Sequence, residues 1–355
     1  MGSVWFCLAA IMLAGYVVLD GFDLGVGVLH LWLARNEAER RTMLRSIGPA
    51  WNGKELWLVA AAGMLCFAFP ALYAKGLSGF YWPVLALLLL LVARGVSMGL
   101  RSYVEKPERS RLWDRAFAAA SISLAVCYGV VIGNVVRGLP LNASGHFSEP
   151  LWTNFQPVGQ TGILDWYTVI VGVFALAALT LHGASWLTLK TKGELRKRAL
   201  KCASRLWWAA LALTAAITII SFQLLPQLML NFHDRPWGIV FPMLALTGLF
   251  GIKWYGRIKQ EAMAFGASCT YLIGMLTSVA FSLYPNVLPS SLNPFQALTV
   301  ANSNAGHELK IGLVWCTIGI AVACGYTIHS YRSFAEKAGV RDGHEERDRF
   351  VAASR

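Results

Sequence analysis

Val17-Val18-Leu19-Asp20-Gly21-Phe22-Asp23-Leu24-Gly25-Val26-Gly27 lies inside an apolar run that extends from about Val4 to Leu33. A run of that length can cross a bilayer, yet this one carries two carboxylates. Each costs on the order of 2.5–3.5 kcal/mol at mid-membrane, so such acids face a bundle interior or a polar path. Asp20 and Asp23 are three residues apart and share one helix face. Gly21 and Gly25 are four apart and admit a second backbone at close range. The segment is expected to be a packed transmembrane helix with its acids turned inward. The rest of the chain forms its surroundings.

Composition supports that expectation. Of 355 residues, 56% are apolar and 14% charged, and the mean hydropathy is +0.52. Charge is gathered in short islands between long apolar runs, the pattern of a polytopic helical membrane protein. The runs are continuous rather than alternating, which excludes a transmembrane β-barrel. The first run is no cleavable signal: it is too long, lacks a basic leader and holds two acids.

Nine spans are placed at roughly 4–34, 55–74, 78–100, 113–136, 163–187, 206–229, 237–256, 262–283 and 308–331. With the N-terminus outside, 26 Lys and Arg residues fall inside and three (Lys75, Arg137, Arg235) outside; Arg94 and Lys310 sit near or within spans. That asymmetry predicts a periplasmic N-terminus and a cytoplasmic C-terminus. The net charge of +12 is therefore a matter of topology and not of a nucleic-acid surface. Seven scattered cysteines form no Cys-x-x-Cys pair; they read as small apolar fillers.

Between the first two spans, Arg35 to Arg45 reads as a basic inner loop. Ile47-Gly-Pro-Ala-Trp51-Asn52-Gly53-Lys54-Glu55-Leu56-Trp57 follows, with turn formers at the membrane edge. Glu55 there snorkels or pairs with Lys54, and Trp51 and Trp57 suit an interfacial aromatic belt. A short outer turn makes spans two and three an antiparallel hairpin. Arg94, a turn or two inside span three, calls for a carboxylate, with Asp23 and Glu55 at comparable depth. Span five carries His182 in Leu181-His-Gly-Ala-Ser-Trp186, a packing residue or a haem ligand. Lys190 to Arg205 reads as a solvated inner loop, and Pro226 and Pro242 kink or cap their helices.

No phosphate-cradling loop, zinc spacing or nucleophile elbow is present. Of seven histidines only His30, His182 and His329 fall in or near spans, and none has a histidine at i+4. Two classes stay open on the residues alone. One is a proton-coupled secondary transporter with Asp20 and Asp23 as coupling acids. The other is a non-redox partner of a membrane enzyme.

The stretch Leu19-Asp-Gly-Phe-Asp-Leu-Gly-Val-Gly27 resembles the first-helix signature of subunit II of cytochrome bd-type quinol oxidases. Ile47 to Trp57, Ser78-Gly-Phe-Tyr81, Arg94-Gly-Val96, His182-Gly-Ala-Ser-Trp186 and the block from Pro289-Ser-Ser to Leu298-Thr-Val-Ala-Asn302 resemble the same family in the same order. The resemblance covers roughly residues 10 to 330. It implies two four-helix bundles plus a peripheral helix, in agreement with nine spans: residues 1–136, an outer connection 137–162, residues 163–331, and a cytoplasmic tail 332–355.

It also implies a role. The partner, subunit I, holds b-type and in some members d-type haems and oxidises quinol, reducing dioxygen to water with cytoplasmic protons. This chain would carry no haem or metal, complete the heterodimer in the inner membrane and line a proton or oxygen path. A small single-helix accessory subunit, lipid and a structural quinone are further companions the resemblance allows. Where many relatives have an aspartate this chain has Asn52, which cannot titrate but can order water; either Glu55, one turn on, takes over the acid, or protons are drawn through the partner subunit. Asp20, Asp23, Asn52, Glu55 and Arg94 are thus the proton-path or interface candidates, and Trp57 borders an oxygen path or the interface.

Overall fold

The apolar runs fold as helices because a bilayer offers backbone groups no water, so each segment must satisfy its own N–H and C=O. The structure, a computed structural model, describes residues 1–48, 51–103, 107–142, 144–303 and 309–333. In order come α1 (Gly2–Leu33), α2 (Glu37–Ile47), α3 (Trp51–Ala68), α4 (Pro70–Gly79), α5 (Tyr81–Tyr103) and α6 (Pro107–Arg137). An irregular connection leads to α7 (Trp166–Lys190), α8 (Gly193–Leu224), α9 (Leu230–Asp234), α10 (Val240–Arg257) and α11 (Glu261–Leu283). A two-stranded antiparallel ribbon, β1 (Asn286–Leu288) with β2 (Leu298–Thr299), precedes α12 (Leu309–Ser333). Among the described residues eight helices are long and apolar enough to cross a membrane, nine when α3 and α4 are counted as one bent span. The chain is an all-α polytopic protein.

Three details differ from the sequence expectation. The second span does not run through to residue 74: α3 ends at Ala68 and α4 leaves at 116° to it. The cause is Pro70, which forces the residue before it out of the helical region. Phe69, Leu225 and Arg235 each precede a proline, and all three have φ between −134° and −131° with ψ between 64° and 75°. Spans two and three consequently do not form a hairpin of neighbours. The largest packing partner of α3 is α1, and that of α5 is α6.

The two basic loops are also more ordered than expected. Asn36 accepts a hydrogen bond from Glu39 N at 2.8 Å and caps α2. Beyond α7, Gly193 takes φ +64°, and α8 begins there. Its first turns carry the basic block, because Leu195 and Ala199 give that block a buried face against Trp186 and Leu187.

At the centre lies α1, in contact with α3, α6, α7 and α11. It crosses α7 at Gly25 and Gly183, where a side-chain carbon on either residue would collide with the other's backbone. The close approach expected of Gly25 is therefore present, and its partner is a second glycine. Small residues at such crossings replace the hydrophobic drive that lipid cannot supply. Around them Leu24, Leu124, Leu179, Leu249 and Tyr271 pack into one buried cluster.

Gly183→Ala is expected to cost about 1–3 kcal/mol through overpacking, read as a lower thermal midpoint of the purified protein. Gly266→Ala is the control, since nothing lies within 4 Å of the added carbon. It should be neutral or stabilising by roughly 0.5–1 kcal/mol, the helical preference of alanine over glycine. Equal effects at the two sites would contradict the crossing.

Candidate functional site

The two acids of α1 are buried, Asp20 at 4% exposure and Asp23 at 0%. Each is met by a buried cation from a different helix. Arg94 of α5 donates both guanidinium nitrogens to Asp20, Nη1 to Oδ2 at 2.9 Å and Nη2 to Oδ1 at 2.8 Å. Such a planar fork matches a carboxylate better than any lysine could. Lys54, in the first turn of α3, donates to Asp23 Oδ2 at 2.6 Å, and its Nζ sits 4.0 Å from the centre of the Phe22 ring. Arg94 Nη2 also lies 4.0 Å from Asp23 Oδ2, tying the two pairs into a quartet.

Arg94 was expected to pair with Asp23 or Glu55, and its main partner is Asp20 instead. Its fork approaches from α5 on the side of the Asp20 turn, while α3 delivers Lys54 to the Asp23 turn. Lys54 pairs with Asp23. Asn52 and Glu55 share the first turn of α3 with Lys54, but their side chains lie outside the described residues. Sequence reading missed Lys54 as a member. The signal was present: two intramembrane acids need two cations, and Arg94 and Lys54 are the cations at the edges of the neighbouring apolar runs.

The quartet extends through tyrosines. Tyr16 donates to Asp20 Oδ2 at 3.0 Å, and its hydroxyl lies 2.8 Å from that of Tyr128 on α6. Tyr16, Asp20 and Tyr128 form part of the wall of a cavity of about 470 Å³ enclosed by α1, α6, α7, α8, α10 and α11. Phe174, Leu179 and Leu272 are typical of the rest of its lining. A mostly apolar chamber with a few polar groups in its wall suits an amphipathic molecule.

Both ring nitrogens of His182 have partners within the chain. Its Nε2 lies 3.0 Å from the Val18 carbonyl, which can only accept, so Nε2 carries the proton. Its Nδ1 is 2.7 Å from Ser268 Oγ, and Phe265 stacks on the ring at 5.0 Å. The ring bridges α7 to α1 and α11. Trp57 is no interfacial anchor either. It is buried against Gly15 of α1, with Nε1 donating to Thr327 Oγ1 of α12 at 3.2 Å. Among the described residues no three His, Cys, Asp or Glu side chains gather as a metal site.

Two further charged clusters close the helix ends. At the basic end His30 Nε2 is 2.9 Å from Asp114 Oδ1, and Arg101 Nε donates to the same oxygen at 2.8 Å. Arg101 also reaches Glu37 of α2. Burial alone would raise the Glu37 carboxyl, but hydrogen bonds from Arg101 and Arg41 outweigh it and hold it below the usual carboxylate range. At the opposite end Arg137, counted from sequence among the outer cations, is 5% exposed and joins Glu149 and Asp165.

With this geometry the chain was compared with known proteins. Residues 1–334 match the family described as cytochrome bd terminal oxidase subunit II. The chain is 29% identical to "Cytochrome bd ubiquinol oxidase subunit 2" of Bacillus subtilis, over 96% of this chain and 97% of that one. It is 28% identical to "Probable cytochrome oxidase subunit 2" of Haemophilus influenzae, over 92% of each. "Cytochrome bd-I ubiquinol oxidase subunit 2" of Escherichia coli is 27% identical over 89% of each. In fold it is similar to a chain of the bd oxidase of Geobacillus thermodenitrificans, with a TM-score of 0.75, 17% identity, and coverage of 94% and 98%. None of these gives support to the transporter reading. The apolar helices and these relatives make it a multi-pass protein of the bacterial inner membrane. The chain belongs to the cytochrome bd terminal oxidase subunit II family.

Proposed function

We propose that this chain is the haem-free second subunit of a terminal oxidase that oxidises quinol and reduces dioxygen to water. The observation that carries this reading is the family match over nearly the whole length, joined to relatives named as quinol oxidase subunits. The haems belong to the partner, subunit I. When bound there they supply the electron transfer and oxygen chemistry, and His182 of this chain is committed to helix packing instead. The N-terminus faces the periplasm and the C-terminus the cytoplasm, as the basic residues direct. A small accessory helix and membrane lipid complete the assembly. The chamber beside Tyr16 and Tyr128 holds a structural quinone or a lipid tail.

Within that role the quartet divides the work. Asp20 accepts from Arg94 on both oxygens and from Tyr16, so it holds helices together. Asp23 Oδ1 has no hydrogen-bond partner among the described residues, which leaves Asp23 an oxygen on which a proton can rest. Glu55 takes the place of the acid that Asn52 cannot supply, Asn52 orders water beside it, and the ring of Trp57 borders the oxygen path or the interface with subunit I.

The first test is to purify the chain with what accompanies it and record a reduced-minus-oxidised spectrum together with quinol-driven oxygen uptake. Haem bands on a co-purifying second chain with oxygen uptake are expected; a partnerless, haem-free protein would overturn the proposal. Arg94→Leu strands Asp20 as an unpaired buried charge and should cost about 3–5 kcal/mol, seen as loss of assembled complex. The pair Asp23→Asn with Lys54→Gln removes both charges together and should assemble normally. If Asp23 carries protons, oxygen uptake of that double variant falls roughly tenfold or more. Undiminished uptake would confine Asp23 to a structural role.

A further inference from the structure

Arg137 ends α6, and among the described residues its guanidinium is the single cation set against the two buried carboxylates Glu149 and Asp165. Nη1 donates to Gly162 O at 3.0 Å and to Asp165 Oδ2, and Nη2 donates to Asn134 Oδ1 and Glu149 Oε1, each at 2.8 Å. The side chains of Arg137, Glu149 and Asp165 are 2%, 1% and 0% exposed. The three groups together carry one negative charge too many. The two acids do not share that excess equally. Asp165 is committed on both oxygens, since Oδ1 also accepts Thr168 N at 2.9 Å and caps α7. Glu149 accepts from Arg137 and from Thr161 Oγ1 (2.7 Å), but only on Oε1. Its Oε2 is buried without a partner among the described residues.

We propose that Glu149 is a buried proton-binding site, and that its proton keeps the connection between α6 and α7 closed over the helix ends. The connection is stitched to this cluster at several points. Thr161 binds Glu149, Gly162 O binds Arg137, and Ile163 O accepts from Asn134 Nδ2 at 2.9 Å. Ile163 N also donates to Pro150 O at 3.0 Å, closing the loop that carries the stacked Trp152 and Phe155. With Glu149 protonated, one cation faces one anion. With it ionised, an uncompensated charge is held out of water, and the segment gains by opening to hydrate it.

Among the described residues, Arg137 and Asp165 are the charges that act on the Glu149 carboxylate. Tyr167 turns its hydroxyl to Ser221 at 2.9 Å, Lys75 of α4 lies over Gly145, and His146 is exposed. Burial pushes the Glu149 carboxyl up, and the opposing pull of Arg137 and Thr161 does not restore it. A carboxyl raised in the folded state lends stability at low pH, and that stability fades as pH climbs from the ordinary glutamate value through the raised one. The connection is therefore closed in acid and loosens towards neutrality.

Hydrogen exchange of the intact complex in lipid nanodiscs, corrected for the intrinsic pH dependence of exchange, tests this. From about pH 4.5 to about pH 8, a range that begins near the ordinary glutamate value, peptides within 138–165 should lose protection several-fold. Glu149→Gln should keep them protected at every pH. Asp165→Asn leaves Arg137 with Glu149 alone and balanced, so the slope should reverse and protection rise with pH. A flat wild-type profile, a Glu149→Gln variant with the wild-type slope, or an Asp165→Asn variant with an unreversed slope each overturns the proposal. Repeating the series with added Ca²⁺ separates proton from metal ion. A profile that moves with Ca²⁺ assigns the site to the metal and likewise overturns it.

Discussion

Two carboxylates placed three residues apart in an otherwise apolar helix must be neutralised within the membrane, and the packing around α1 answers to that requirement. Both acids are buried, and an isolated buried charge is worth tens of kcal/mol in a dry medium. The compensation comes from elements far apart in the chain, Arg94 on α5 and Lys54 at the start of α3. The two cations are not equivalent. The guanidinium fork fixes α5 against α1 in direction as well as distance, whereas the ammonium is a point charge that needs only proximity and is further held by the Phe22 ring. Electrostatics thus decides which helices flank one side of α1.

The opposite requirement governs the other side. Across Gly25 and Gly183 the backbones of α1 and α7 touch, and lipid offers no hydrophobic drive to hold them there. Contact area has to come from removing side chains. His182, one residue before Gly183, then spans the crossing with both ring nitrogens engaged. A histidine placed so is a fastener between α7, α1 and α11. A helix with charged pairing on one side and bare backbone on the other has little freedom to rotate. That explains how α1 can pack against α3, α6, α7 and α11 at once and still present its acids to Arg94 and Lys54.

Much of this was legible in the sequence where a single large energy dominated. The cost of intramembrane charge pointed Asp20 and Asp23 inward, Gly25 announced a close crossing while Gly21 met only side chains, and uninterrupted apolar runs gave the spans. What stayed hidden depended on which distant segment arrives where. Hydropathy hardly registers Pro70, because the apolar run continues on both sides of the bend. Lys54 looks like a membrane-edge lysine until α3 is known to start beside Asp23. Arg137 counts as an outer cation until the connection folds back over it, and His30 finds Asp114 at a separation of 84 residues. The length of α8 was missed for a milder reason. Its basic first turns are held by a small buried face of Leu195 and Ala199, too short for periodicity to declare.

The buried charge clusters at mid-helix and at the end of α6 then differ in one countable respect. The quartet of Asp20, Asp23, Arg94 and Lys54 sums to zero and needs nothing from solvent. The cluster of Arg137, Glu149 and Asp165 sums to minus one. It cannot be satisfied by rearrangement among its own members, because the guanidinium already donates to both acids. The missing positive charge has to come from outside, and a proton is the smallest source and needs no coordination shell. The same helices α6 and α7 that pack against the quartet's central helix are therefore joined at one end by a cluster whose charge depends on the surrounding water. Rigidity at the core and responsiveness at the rim follow from the same arithmetic, applied to four groups in one place and three in the other.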